Sequence, residues 1–155
     1  MSHLSREETI VHARAIASEQ PGGTLATTHA EDGTPYVTYV LFHLLDDGRV
    51  LFGSGDTPQH TRNILATPEV SFLIDNREVV RSDWTHFDRV VIEGSAASVG
   101  PEDERYEPFL AALAEKNAMA AHFSRQGTLF SIEPRRLILM KGLEPHRNIV
   151  EFSGP

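Results

Sequence analysis

The 155-residue sequence predicts a mainly β (α+β) fold in which antiparallel strands close into a barrel flanked by helices. Short runs rich in β-branched and aromatic residues recur along the chain, separated by turns containing glycine, aspartate or proline. They follow one another through tight turns, which favours antiparallel pairing. The run Tyr36–Leu44 is apolar on both of its faces, with Val37, Tyr39 and Leu41 opposed to Thr38, Val40 and Phe42. Both faces must therefore be covered, one by a barrel interior and the other by a ligand or a second subunit.

The elements are read in order as follows. Ser5 and Glu8 have capping-box spacing, and Ile10, Ala13, Ile16 and Ala17 repeat at helical intervals up to Pro21-Gly22-Gly23, which predicts a helix within residues 1–20. Thr24–Thr28 and Tyr36–Leu44 form a hairpin turned by Glu31-Asp32-Gly33-Thr34, and Asp46-Asp47-Gly48 leads into a third strand, Arg49–Ser54. Thr57 suits an N-cap and Pro58 the first position of a short helix that stops at Thr67-Pro68. Strand Glu69–Asp75 follows, residues 76–87 are irregular, and Arg89–Ala97 is a further strand with Gly94 marking a bulge. Pro101 and Glu102-Asp103-Glu104 open a helix whose apolar stripe is Tyr106, Phe109, Leu110 and Leu113. Two last strands, Thr128–Ile132 and Arg136–Lys141, precede an irregular tail, 142–155, so the chain reads as one domain over 1–155.

Charge and composition narrow the function. With 22 acidic and 14 basic side chains, the formal charge is −8, and the long-range field repels nucleic acid and anionic membrane. A phosphorylated small molecule is still admissible, because a helix start and one or two cations act locally. There is no cysteine, which removes disulfides, thiolate metal sites and thiol nucleophiles. Arg6, Glu7, Glu8, His12, Arg14 and Glu19 interrupt any apolar signal core, and no run is long enough to span a membrane, so a cytoplasmic location is expected. No pair among the eight histidines has zinc-site spacing, and no metal is expected. His43 reads as a semi-buried strand residue, His122 as helix packing beside Met119 and Phe123, His146 as solvated, and Trp84 as a loop anchor. No Gly-x-Ser-x-Gly elbow supports hydrolase chemistry.

The segment Ser54 to Arg62 holds the most chemistry. An oxyanion needs donors converging on a helix start, where unpaired N–H groups and the positive dipole end point outward. Ser54 and Thr61 supply hydroxyls, His60 and Arg62 supply polar or charged donors, and Gly53 and Gly55 permit close backbone approach. The same residues would equally make a well-capped connecting helix.

The run Ser54…His60-Thr61-Arg62-Asn63-Ile64…Pro68-Glu69-Val70-Ser71 resembles the phosphate-binding strand and helix of the pyridoxamine 5'-phosphate oxidase-like, FMN-binding split barrels, particularly their haem-utilisation-like branch. A second stretch, Asp83 to Ala96, is similar to the family segment whose strand ends Gly-x-Ala. The resemblance implies an antiparallel split β-barrel with flanking helices, homodimeric, with FMN bound at the subunit boundary. It implies a cofactor-binding set: Val37, Thr38, Tyr39 and Val40 along the isoalloxazine, and Ser54, Gln59, His60, Thr61, Arg62 and Asn63 around the phosphate. Arg89 would reach the cofactor held mainly by the partner subunit. His60 stands where many relatives carry lysine. The implied activity is that of a flavin-dependent oxidoreductase acting on an unidentified small molecule, with no side chain assigned as acid or base. The alternatives are an F420-dependent reductase of the same fold and a non-catalytic flavin or haem binder. Haem is the weaker expectation, because Gly142 to His146 departs from the ending of the haem-degrading relatives and their further C-terminal domain has no counterpart in this sequence.

Overall fold

Strands that are apolar on the inside need a closed sheet, and the fold supplies one. The computed structural model describes residues 3–55 and 58–153. In chain order the elements are α1 (Arg6–Ser18), β1 (Gly22–Thr28), β2 (Pro35–Leu44), β3 (Val50–Ser54), α2 (Gln59–Ala66), β4 (Glu69–Asp75) and α3 (Arg77–Val80). A 3-10 turn (Trp84–His86), β5 (Arg89–Val99), α4 (Tyr106–Lys116), α5 (Ala118–Gln126), β6 (Thr128–Met140) and β7 (Arg147–Glu151) complete it. The strands lie in the order β3-β2-β1-β4-β5-β6-β7, and β3 also pairs with β6, so β1 to β6 close an antiparallel barrel and β7 extends from β6. No helix among the described residues is long and apolar enough to cross a membrane.

Local chemistry accounts for the entry points. Ser5 Oγ accepts from the Glu8 amide (3.1 Å) while Glu8 Oε1 accepts from the Ser5 amide (2.9 Å), which closes the expected capping box on α1. Gly33 and Gly48 turn the two hairpins at φ +76° and +90°, a region L side chains rarely adopt. Inside the barrel Phe42 meets Phe72 edge-on at 5.0 Å and Phe52 stacks on Phe130 at 5.2 Å. Ala13, Ile16 and Ala17 of α1 and Ile64 of α2 join the same core. Leu51 of β3 and Leu129 of β6 point the other way and are covered by Tyr106, Leu110 and Leu113 of α4 and Ala120 of α5.

Several expectations are corrected. The two last strands are one, β6, which passes through Pro134 without a break. Gly94 of β5 lies opposite Pro134 while Glu93 pairs with Arg136, so Arg135 is the extra residue of a bulge, and a bulge is a place where a proline's missing N–H costs no ladder bond. The tail is not irregular throughout: Arg147–Glu151 pairs with Arg136–Met140, and Val150 joins the core. The helix expected after Pro101 starts at Tyr106 and is interrupted at Asn117, whose side chain accepts from the Met119 and Ala120 amides (3.1 Å each) to cap α5. Met119, His122 and Phe123 on α5 are exposed rather than packed into the core, the His122 and Phe123 rings lying 6.1 Å apart. Residues 76–87 contain α3 and the 3-10 turn, where Trp84 is exposed and touches Phe87 edge-on at 5.1 Å. The proposed cap Thr57 lies outside the described residues, and Pro58, expected as the first helical residue, keeps an extended ψ of 152° just before α2.

Lys116 ends α4 under unusual constraint. Its Nζ donates to the Phe42 carbonyl at 2.8 Å and lies 3.5 Å from the centre of the Phe42 ring, and burial pushes its pKa down from 10.5 to about 8. Between those values the unfolded chain binds more protons than the folded one, so stability should rise as pH increases from about 8 toward 10.5. Lys116→Met should flatten that rise and leave stability at neutral pH equal or higher. Urea midpoints across the window check it, and a wild-type midpoint that tracks the variant's would show that the ammonium is not penalised.

Candidate ligand cleft

β3 delivers Ser54 to the end of the barrel, and α2 begins a few residues later, so a strand end and a helix start face one another. Ser54 is buried, donates to the Gly55 carbonyl (3.2 Å), and shares a short hydrogen bond with the Thr61 hydroxyl. His60, one residue into the helix, is 8% exposed. Its Nε2 has no hydrogen-bond partner among the described residues, and burial lowers its pKa, which keeps the imidazole neutral at neutral pH. A cavity of about 220 Å³ opens beside these groups, lined by Tyr39, Val40, Ser54, His60, Ala120 and Phe123 among others.

Small residues make the close packing possible. A Cβ on Gly53 would stand 1.9 Å from Ser124 Oγ, and one on Gly127 would stand 2.0 Å from the Ser54 carbonyl oxygen. Glycine at both positions lets α5 lie against β3 and brings Phe123 over the cleft. The sequence reading missed Ala120 and Phe123 as cleft residues. The available signal was the small pair Ala120 and Ser124, one helical turn apart opposite Gly53.

A family model described as pyridoxamine 5'-phosphate oxidase matches residues 11–142, most of the chain. The chain belongs to the pyridoxamine 5'-phosphate oxidase family. No curated protein sequence matches it. Among solved structures it is similar to a haem-binding protein from Mycobacterium smegmatis (22% identity, TM-score 0.76, 97% of this chain and 60% of that one). It is also similar to HutZ, a haem storage protein from Vibrio cholerae (23%, 0.68, 84% and 92%). A third is an FAD-binding protein from Mesorhizobium loti (17%, 0.63, 83% and 91%). The chain thus spans about three fifths of the M. smegmatis protein. At such identities the likeness establishes the split-barrel fold.

Against this family frame the expected site residues divide. Tyr39, Val40, Ser54 and His60 converge on the cleft, with Thr61 held behind Ser54. Val37 and Thr38 continue along β2 beyond the cleft lining, Val37 on the outward face. Asn63 is fully buried and its side chain bonds to protein: it accepts from the Ala30 amide (2.8 Å) and Gln59 Nε2 (2.8 Å) and donates to Thr27 Oγ1 (2.9 Å). It ties α2 to β1 and to the β1–β2 turn rather than facing a ligand. Gln59 also donates to Glu31 (2.9 Å) and accepts from Arg62, whose guanidinium lies 3.6 Å from Glu31, so these form a network on the outer flank of α2. Arg89 does not line the cleft of its own chain. It starts β5, donates to the Gly142 carbonyl (3.3 Å) and stands 5.6 Å over the Phe87 ring, with its Nε unpartnered among the described residues. Those residues contain no cluster of three metal-ligating side chains.

Proposed function

We propose that this member of the family is an FMN-binding flavoprotein acting as an oxidoreductase, with the phosphate held at the start of α2 and the ring lying along β2. The observation that carries the reading is the buried, unpartnered Nε2 of His60 beside the Ser54–Thr61 hydroxyl pair. Buried polar atoms find partners, and a phosphate oxygen supplies one here while the backbone start of α2 adds its dipole. A bound flavin would carry out the electron transfer itself, and Tyr39, Val40 and Phe123 would shield and orient its ring.

The same reading includes a homodimer built on the outer face of the sheet. Register places Tyr39, Thr24, Leu73, Val91, Ile138 and Ile149 in one row across β2, β1, β4, β5, β6 and β7. Tyr39 is 60% and Ile149 49% exposed at the two ends of the row, Val37 beside Tyr39 is 64% exposed, and Leu73 and Val91 between them are partly exposed while Ile138 is buried, which leaves apolar surface at both ends for a partner to cover. A second copy would cover it and bring its Arg89 toward the neighbour's cofactor. A haem reading is favoured by one feature, the neutral imidazole of His60, which has the free nitrogen an iron would take.

Titration of the apoprotein separates these. FMN should bind much more tightly than riboflavin, and His60→Ala should weaken FMN about ten- to a hundredfold, as expected for one hydrogen bond of roughly 1.5–3 kcal/mol to a charged group, while riboflavin changes little. Scattering on the same sample should give twice the 17.2 kDa chain mass. Equal affinity for FMN and riboflavin would refute the phosphate site. A Soret band with haemin, or binding of F420 in preference to FMN, would replace the cofactor assignment.

A further inference from the structure

A second cavity, about 150 Å³, lies on the outer face of the sheet between the loop that precedes β1 and α3 that follows β4. Gln20, Tyr39, Leu73, Asp75, Arg77 and Glu78 are its chemically distinctive walls. Tyr39 lines both cavities, so the two adjoin across one side chain. Its ring lies close over the bare backbone of β1, which glycine permits: a Cβ at Gly22 would come within 2.4 Å of the ring carbons.

The polar groups of this cavity are incomplete. Gln20 is 5% exposed, and its Nε2 has no acceptor among the described residues. A buried amide donor left without an acceptor weakens a fold unless something outside the chain supplies one. The carboxylate of Asp75 is gripped by Arg77, with Nε–Oδ1 2.9 Å and Nη2–Oδ2 2.6 Å, and Glu78 follows on α3. Burial works to raise the Asp75 pKa, and the hydrogen bonds and charge of Arg77 more than reverse it, so the carboxylate is ionised. Two carboxylates against one guanidinium make the cavity net acidic, which disfavours an anion. Gln20 asks for an acceptor, the acidic wall accepts donors, and Tyr39 and Leu73 offer flat apolar surface.

We propose that this cavity is a second ligand subsite, joined to the phosphate cleft through Tyr39, that takes the carbonyl and N–H edge of a planar, uncharged ring amide or carboxamide. Gln20 Nε2 donates to the carbonyl and the acidic wall accepts the N–H. The inference rests on the flavin reading of the adjoining cleft. That edge could belong to the flavin ring itself or to the nicotinamide of a hydride donor.

Gln20→Leu tests it, because the exchange removes an unsatisfied polar group and a purely structural reading gives no reason for ligand binding to change. Urea unfolding without ligand should show the variant as stable as wild type or more so. FMN and riboflavin are then titrated into both proteins, and nicotinamide into both after loading with FMN. A tenfold or greater loss affecting FMN and riboflavin alike assigns the edge to the flavin ring. The same loss confined to nicotinamide assigns it to a separate ligand. Unchanged affinity for all three, or a ligand-free variant markedly less stable than wild type, overturns the subsite. Failure of the flavin reading is distinguishable, since it appears in wild type as equal binding of FMN and riboflavin.

Discussion

Gly94→Val is expected to remove about 3 kcal/mol or more of folding stability, at the upper end of what overpacking costs. A Cβ at this position would stand 2.1 Å from the Glu133 carbonyl oxygen, 3.0 Å from its carbonyl carbon and 3.1 Å from the Pro134 Cα. All three obstacles are backbone, so no side chain can swing aside. Relief would require reopening the bulge that lets β6 carry Pro134 and serve β3 with its first half and β7 with its second. Since a domain of this size is stable by only about 5–15 kcal/mol, the urea midpoint should fall by a large fraction of its value with little change in slope. A midpoint indistinguishable from wild type would mean that β5 and β6 are not in this register.

Asn63→Ala is the second large effect, about 2–4 kcal/mol, from the loss of three hydrogen bonds worth roughly 1 kcal/mol each and the buried Thr27 hydroxyl left without its donor. Unlike a residue of the cleft, Asn63 should affect ligand binding only through the placement of α2. Asn63→Asp keeps an acceptor for Ala30 and Gln59 but puts a carboxylate where the side chain is fully buried with no cation among these partners, so at neutral pH it should cost at least as much as Asn63→Ala and less at acid pH, where the carboxyl is protonated. Thermal melts of the three proteins check the order, and an alanine variant as stable as wild type would show that α2 is held by Ile64 and its apolar neighbours alone.

The barrel was legible because its determinants are local. Gly33 and Gly48 announce hairpin turns by their conformational freedom, and the alternation in Glu69–Asp75 survives intact as the buried Val70, Phe72 and Ile74. The strand-to-helix step at Ser54 was legible for the same reason, since its hydroxyls and helix start lie within a few residues of one another. What was not legible depends on contacts between distant segments. Pro134 reads as a strand break until Gly94 is known to lie opposite it, and Arg147–Glu151, in which Ile149 and Val150 are the apolar residues and do not alternate with polar ones, does not read as a strand until β6 pairs with it. Phe123 has the spacing of a packed helical residue, and only the docking of α5 on Gly53 turns it toward the cleft. Gln20 carries no sequence signal, because its unpartnered amide appears only when α3 closes beside the loop before β1.

Ser54 occupies the last rung of the seam between β3 and β6, opposite Thr128. β4, β5 and the α4–α5 pair lie between those two residues in the chain, so the seam is a closure of long sequence separation, the kind of contact that is slow to form. A ligand that needs the Ser54 hydroxyl therefore has nothing to bind until the barrel has shut. Its binding energy is absent from the open chain and from any folding transition state in which the seam is still unmade. Occupancy of the cleft would accordingly act as a latch on the finished barrel, prolonging the lifetime of the closed state while leaving the speed of its assembly unchanged.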